Sequence, residues 1–271
     1  MKNSSSISLL IQNFRDLFDK NPVIIVIGII VFFISSITTI INDGTDLMYK
    51  ANSTIGWRGF EEKIINSLNA SIRIEKFIET LGEHIFYREG EHGYSEYVFE
   101  RRDGRYWIQA ITDTQGTVVI YSVTSCDSSF KPQIKYSPTG RSITLGETTF
   151  KEAADGVEVS YDYVVSAATG NSSLIEIYST GNPGRYQTEY WGIIDSCDRN
   201  KFYELIVPNL PDILINSLDR DDPILHQFRE KFPINTYAVS SPFIEDSTVT
   251  GGPLDDFQIG VDRIQIRVIY P

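Results

Sequence analysis

The stretch at 23–41, VIIVIGIIVFFISSITTII, limits what this chain can be more than anything else in it: nineteen residues without a charge. As a helix rising ~1.5 Å per residue it reaches about 28 Å, close to the ~30 Å hydrocarbon core of a bilayer. Its apolar side chains fall on every face, whereas a helix at the edge of a globular core carries only an apolar stripe. Ser35, Ser36, Thr38 and Thr39 can bond back to the helix's own carbonyls. Pro22 stands at the start, where a missing N–H costs nothing. The competing readings are a buried core helix and a cleaved signal peptide. The latter would want a short basic start and an Ala-x-Ala type cut, and neither is present. The expectation is a retained transmembrane helix over 22–42.

Orientation rests on few charges. Lys2, Arg15 and Lys20 precede the span, and Lys50 and Arg58 follow it. The small excess in front favours a cytoplasmic N-terminus, with the rest of the chain beyond the cytoplasmic membrane. Residues 1–21 read as a cytoplasmic amphipathic lead. Ile7, Leu10, Ile11, Phe14, Leu17 and Phe18 recur at spacings of three and four, as in a helix lying on the membrane or simply extending the anchor. Residues 43–56, rich in Asp, Gly, Ser, Thr and Asn, read as a linker.

Beyond the linker the pattern is that of an α+β protein: antiparallel sheet with packed helices. In 57–130 a helical stripe (Phe60, Ile64, Ile65, Leu68, Ile72, Phe77, Ile78, Leu81) precedes three strands. It is expected to break at 69–71, where Asn and Ser prefer caps, and to end at Gly82. The strands fall at Ser95–Arg101, 105–112 and 117–124, joined by the turns 102–104 and 113–116. In 131–198 a second set is read at 156–166, Ser173–Thr180 and Gln187–Ile194. Ser-Cys-Asp follows the third strand of both sets, which suggests a helix-plus-three-strand repeat, although the only helix candidate before the second set is the short one at 148–154. The remainder, 199–271, reads as short helices at 201–207, 211–218 and 223–232, then a closing strand at 261–270 that should pair inside the sheet.

Two stretches carry resemblances. The run Glu176-Ile-Tyr-Ser-Thr-Gly-Asn-Pro-Gly-Arg-Tyr-Gln-Thr-Glu-Tyr-Trp191 resembles a bacterial family of single-pass membrane-anchored proteins with a Gly-Asn-Pro-Gly-x-Tyr-Gln motif. Leu145-Gly-Glu-Thr-Thr-Phe150, Phe77-Ile-Glu-Thr-Leu-Gly82 and 107–116 are similar to it too. That resemblance implies architecture but no activity. Leu81-Gly82 and Asp113-Thr-Gln-Gly-Thr-Val118 are similar to the helix-plus-sheet module of envelope assembly lipoproteins, although Glu83 and His84 stand where that module has a proline. This second resemblance implies protein binding.

The chemistry-bearing residues are sparse. A formal net charge of −12 argues against nucleic acid as a partner, because phosphate binding needs clustered Lys and Arg. Cys126 and Cys197 are the two cysteines. As a disulfide they would close a loop of about 70 residues, worth roughly 4 kcal/mol by chain entropy in an oxidising compartment; the other reading is two buried thiols. His84 and His92, with Glu83, Glu89 and Glu91, lie in what reads as a loop without the short spacing of a metal site. Asp219, Asp221 and Asp222 lack an EF-hand pattern and read as a helix-start cluster. No nucleophile elbow, phosphate loop or dinucleotide fingerprint occurs. No catalytic residue, metal or cofactor is therefore expected. Tyr178, Asn182, Tyr186, Tyr190 and Trp191 make a candidate binding surface, the competing reading being a hairpin turn with core aromatics.

The functional expectation is a single-pass protein of the bacterial inner membrane, held in the lipid bilayer by 23–41. Its acidic domain would bind another protein or an envelope component outside the cytoplasm, without catalysis. The alternatives are a membrane-tethered cytoplasmic sensor or effector, such as those of phage defence, and a tethered hydrolase.

Overall fold

The computed structural model of the protein describes residues 56–135, 137–138, 140–154, 163–165, 173–180, 187–194, 223–242 and 252–261. The chain divides into two compact units, Met1–Trp57 and Arg58–Pro271, and the described residues fall almost wholly in the second. Among the described residues no helix is long and apolar enough to cross a membrane. The predicted span and lead lie outside them. So do the predicted helices at 201–207 and 211–218 and all of the predicted closing strand but Val261.

The architecture is α+β, built on one eight-stranded antiparallel sheet. The helical stripe forms α1 (Trp57–Ser67) and α2 (Ile74–Leu81), with the expected break between them. Ser71 adopts φ +74° there. The break has a use: Ser71 N–H donates to Val118 O, Val118 N–H to Ile72 O and Ile74 N–H to Gly116 O, so the connector pairs with the turn that starts a central strand. Gly82 closes α2 at φ +89°, its N–H donating to Ile78 O.

The strands are β1 (Phe86–Glu89), β2 (Ser95–Arg101), β3 (Tyr106–Thr112), β4 (Val118–Ser125), the small pair β5 (Gln133–Ile134) and β6 (Ile143–Thr144), β7 (Tyr163–Val165), β8 (Ser173–Thr180), β9 (Gln187–Ile194) and β10 (Thr236–Ser240). Helices α3 (Phe150–Ala154), α4 (Pro223–Lys231) and α5 (Pro253–Asp256) complete the described elements. The large sheet runs β1-β2-β3-β4-β10-β9-β8-β7. Two meanders, β2–β3–β4 and β7–β8–β9, thus lie on either side of β10. The segment 84–92, expected as a loop, instead contains β1, paired with β2 from Phe86↔Val98 to Glu89↔Ser95.

Register assigns the two faces, since neighbouring strands put paired residues on the same side. One face carries Phe99, Tyr106, Ile108, Tyr121, Val123, Tyr237, Trp191, Glu176 and Tyr178. Helices α1, α2 and α4 touch that face. Phe77 of α2 is fully buried, its ring 5.7 Å from Tyr121 and 6.3 Å from Phe99. The other face carries Glu96, Gln109, Ile111, Ile120, Ala238, Tyr190, Ile194 and Ile175. It receives Phe257 and Ile259 from the segment 252–261.

That segment is a strap fastened by polar contacts. Gly260 N–H donates to Gln109 Oε1, Gln109 Nε2 donates to Gln258 O, and the Arg88 guanidinium lies 4.9 Å over the Phe257 ring. Gly260 has φ +77°, and a Cβ there would come within 2.1 Å of Ile194 Cδ1, so only glycine fits. Asp256 fastens the near end, accepting the His92 N–H and contacting His92 Nδ1, both at 2.9 Å. Burial opposes the Asp256 charge, but the hydrogen bonds from His92 and the Glu91 backbone outweigh it and hold the carboxyl below the ordinary range. A depressed folded-state value stabilises above the unfolded-state value, about 3.9, and that stabilisation is lost as pH falls through the folded value. The protection of the His92 amide, its exchange rate taken relative to the intrinsic rate at the same pH, should therefore fall in acid in the wild type. In Asp256→Asn that protection should already be low at neutral pH and change less on acidification.

Candidate functional site

Two kinds of unusual group stand out: buried carboxylates inside the sheet layers, and the large side chains of Ile85 and Tyr87 exposed at the sheet's end. Glu61, Glu96, Glu176 and Glu189 are all fully buried. A buried carboxylate is costly unless donors surround it, and here they do. Glu61 of α1 accepts from Arg101 Nη2 at 2.9 Å, Arg102 Nε at 2.6 Å and the Tyr106 hydroxyl at 2.5 Å. Arg101 Nη1 also donates to Leu81 O, so a single guanidinium ties α1, the end of α2 and the sheet together. Arg102 sits at φ +54°, uncommon for a residue with a side chain, and the Glu61 contact offsets that strain.

The far half holds a related cluster with the roles exchanged. There the sheet supplies the carboxylate, Glu176, and helix α4 the guanidinium, with Arg229 Nε donating at 2.7 Å. The Tyr178 hydroxyl also donates to Glu176. Burial first, and then the neighbouring carboxylate, push the phenols of Tyr106 and Tyr178 well above their ordinary value. Both phenols therefore act as neutral donors. Glu189 accepts from Ser137 Oγ and, at 3.0 Å, from Trp191 Nε1. Glu96 accepts from Arg88 Nε and Gln109 Nε2. Protein donors occupy these carboxylates, an arrangement that locks layers together rather than presenting an acid or base to a substrate.

Three of the five residues expected as a binding surface belong to this interior. Tyr178 and Trp191 are fully buried and stack with ring centroids 4.0 Å apart; Tyr190 is 3% exposed. Their side chains present no ring to solvent. Asn182 and Tyr186 lie outside the described residues. Cys126, just past β4, is buried, and among the described residues no cysteine is a free thiol. Cys197 lies outside them, as do Asp219, Asp221 and Asp222. His84 and His92 do not converge: His92 faces Asp256, and His84 packs edge-on to Tyr97 with centroids 5.2 Å apart. Among the described residues no group of three metal-ligating side chains occurs.

The exposed feature is at β1, the end strand of the large sheet. Beside it are the large hydrophobic side chains Ile85, 38% exposed, and Tyr87, 42% exposed. The Tyr87 ring stands 4.9 Å from Tyr97 and 5.9 Å from His84, forming a small aromatic cluster at the rim. Ile85 N–H donates to Val98 O and Gly90 N–H to Tyr94 O, so the hairpin is closed along its inner edge. Among the described residues no strand pairs with the outer edge. Arg88 and Glu89 put charge on this short strand, which guards it against indiscriminate pairing. Sequence reasoning missed this rim, since four strand residues amid His, Gly and Glu give almost no periodic signal.

No protein-family model matches the chain, and no curated protein matches it. One solved structure with some likeness is a cysteine-rich secretory protein from Staphylococcus aureus subsp. aureus Mu50. It is 10% identical, with a TM-score of 0.33; the match covers 64% of this chain and 43% of that one. At that level the likeness carries no functional argument.

Proposed function

We propose that the protein is a single-pass protein of the bacterial inner membrane, anchored by 23–41, whose acidic α+β domain lies outside the cytoplasm and binds another protein or envelope component without catalysis. The observation that carries this reading is the β1 rim. Among the described residues no strand covers the outer edge of β1, an edge of the kind that offers main-chain hydrogen bonds, and Ile85 and Tyr87 offer the apolar and aromatic anchors that dominate binding energy. The Tyr87–Tyr97–His84 packing holds the anchor in place before a partner arrives, which lowers the ordering cost of binding.

A Cys126–Cys197 disulfide belongs to the same proposal. Thr124 of β4 and Gly192 of β9 both pair with Thr236 of β10, so β4 and β9 run in the same direction with one strand between them, about 10 Å apart. Cys126 and Cys197 each follow one of these strands within a few residues. The absence of a free thiol among the described cysteines supports the bridge. The finer reading of two helix-plus-three-strand repeats is supported by the meanders that flank β10, each with its buried Glu–Arg–Tyr cluster.

The test is site-specific photocrosslinking in living cells. A benzophenone side chain at Tyr87 should give a discrete adduct, and one at Lys76, exposed on α2, should give none. Ile85→Lys should reduce the Tyr87 adduct several-fold. No adduct at Tyr87, or the same smear from both positions, contradicts the reading.

A further inference from the structure

The β1 rim carries acid beside its aromatic cluster. Tyr87 and Glu89 are two apart in β1 and pair with Tyr97 and Ser95 of β2, so all four share one face. The Tyr87 hydroxyl donates to Glu89 Oε1 at 2.8 Å, which uses one of roughly four lone-pair sites on that carboxylate. Glu83 and Glu91 stand exposed just before and just after the strand. Arg88 belongs to the opposite face, where the buried Glu96 and the Phe257 ring hold its guanidinium. The acid bears on the cluster itself: burial first, then Tyr87, Glu75 of α2 and Glu89, hold the Tyr97 phenol above its ordinary value.

We propose that β1 selects its partner by charge, receiving an extended segment that carries a lysine or arginine opposite Glu89 and an apolar side chain opposite Tyr87. This rests on the reading of β1 as the binding edge. Side chains two apart on an added strand share a face, so one segment can meet Tyr87 and Glu89 at once. Opposite charges facing each other across strands stabilise the pairing, and like charges oppose it. The charge of the whole chain, −12, draws a basic partner in the same sense. A second copy of this chain fits worse. In a two-fold pairing of β1 with itself about Tyr87, Glu83 would meet Glu91 of the other copy, acid against acid.

The test uses the full chain in phosphatidylcholine nanodiscs and three labelled nonapeptides, read by fluorescence anisotropy against empty nanodiscs. The basic peptide is Lys-Thr-Val-Thr-Lys-Thr-Val-Thr-Lys. The acidic one has Glu for each Lys, and the third has Pro for the two inner Thr of the basic one, which removes strand hydrogen bonds at equal charge. The basic peptide should bind saturably and more weakly as salt rises, and the other two should not saturate. Glu89→Lys, at an exposed position, turns an attraction into a repulsion and should weaken binding about five- to tenfold. Glu230→Lys makes the same change of charge on α4, whose Arg229 reaches β8, six strand spacings of ~4.8 Å from β1; it should change binding less than about twofold. The inference is overturned if the basic peptide does not saturate, if the acidic or proline peptide binds as well, or if Glu230→Lys weakens binding as much as Glu89→Lys. The three peptides on the wild-type chain decide it independently of the variants. The Tyr87 photocrosslink in cells judges the edge separately: an adduct there alongside any of these failures keeps β1 as the binding edge and removes its selection by charge.

Discussion

Glu61→Ala is expected to destabilise the domain by about 3–5 kcal/mol, the cost of breaking a buried ion pair from one side. The glutamate is fully buried, and its loss would leave the Arg101 guanidinium, 18% exposed, and the Tyr106 hydroxyl without their acceptor. A domain's whole stability is about 5–15 kcal/mol, so the loss would be conspicuous. Removing the cluster as a unit is a different operation. In Glu61→Met combined with Arg101→Met and Tyr106→Phe, the most buried donors go together with their acceptor and Arg102, 31% exposed, can turn to water, so the triple variant should recover much of the loss. Denaturant unfolding of the full chain in detergent, followed by the fluorescence of buried Trp107 and Trp191, measures both. A cost below about 1 kcal/mol for Glu61→Ala would mean the network is dispensable. A triple variant no better than the single one would mean that the cluster's charges stabilise outright.

Phe77→Ala should cost a similar amount, about 3–5 kcal/mol, for an apolar reason. The ring is fully buried against Phe99 and Tyr121, so truncation opens a void where α2 meets the sheet. Phe77→Leu keeps most of the volume and should cost clearly less. Ile85→Ala, at an exposed position, should stay within about 0.5 kcal/mol. Equal costs for Phe77→Ala and Ile85→Ala would contradict the packing described here.

The residues that announced themselves in the sequence did so through local pattern. Ser95–Arg101, Ser173–Thr180 and Gln187–Ile194 have the strand bounds that alternation and turn residues indicate. The break between α1 and α2 was legible because Asn69 and Ser71 suit a cap better than a helix interior. β10 was not legible. Thr236–Ser240 is five residues long and buried along its whole length, so it shows no alternation. It also enters the middle of the sheet between strands far away in sequence, which no local pattern encodes. Tyr178 and Trp191 show the same difficulty from the site's side. A strand covered on both faces looks, residue by residue, like a strand with an aromatic surface, and only the helix bearing Arg229 reveals that the face of Tyr178 and Trp191 is closed as well. The Glu61–Arg101 pairing spans 40 residues, so neither partner predicts the other. Ile85 and Tyr87 are exposed because of where β1 ends the sheet, a consequence of topology alone.

The proposed location of this domain, outside the cytoplasm, is tested most directly by the state of the two cysteines in the cell. Membranes are prepared with thiols trapped at lysis, and free cysteines are counted by mass tagging under denaturation, with and without reductant. The proposed disulfide predicts no tag before reduction, two tags after it, and a monomer throughout. Two tags without reductant would contradict the bridge. The extracytoplasmic placement would then lose its main support, and a membrane-tethered cytoplasmic sensor or effector would become the better reading.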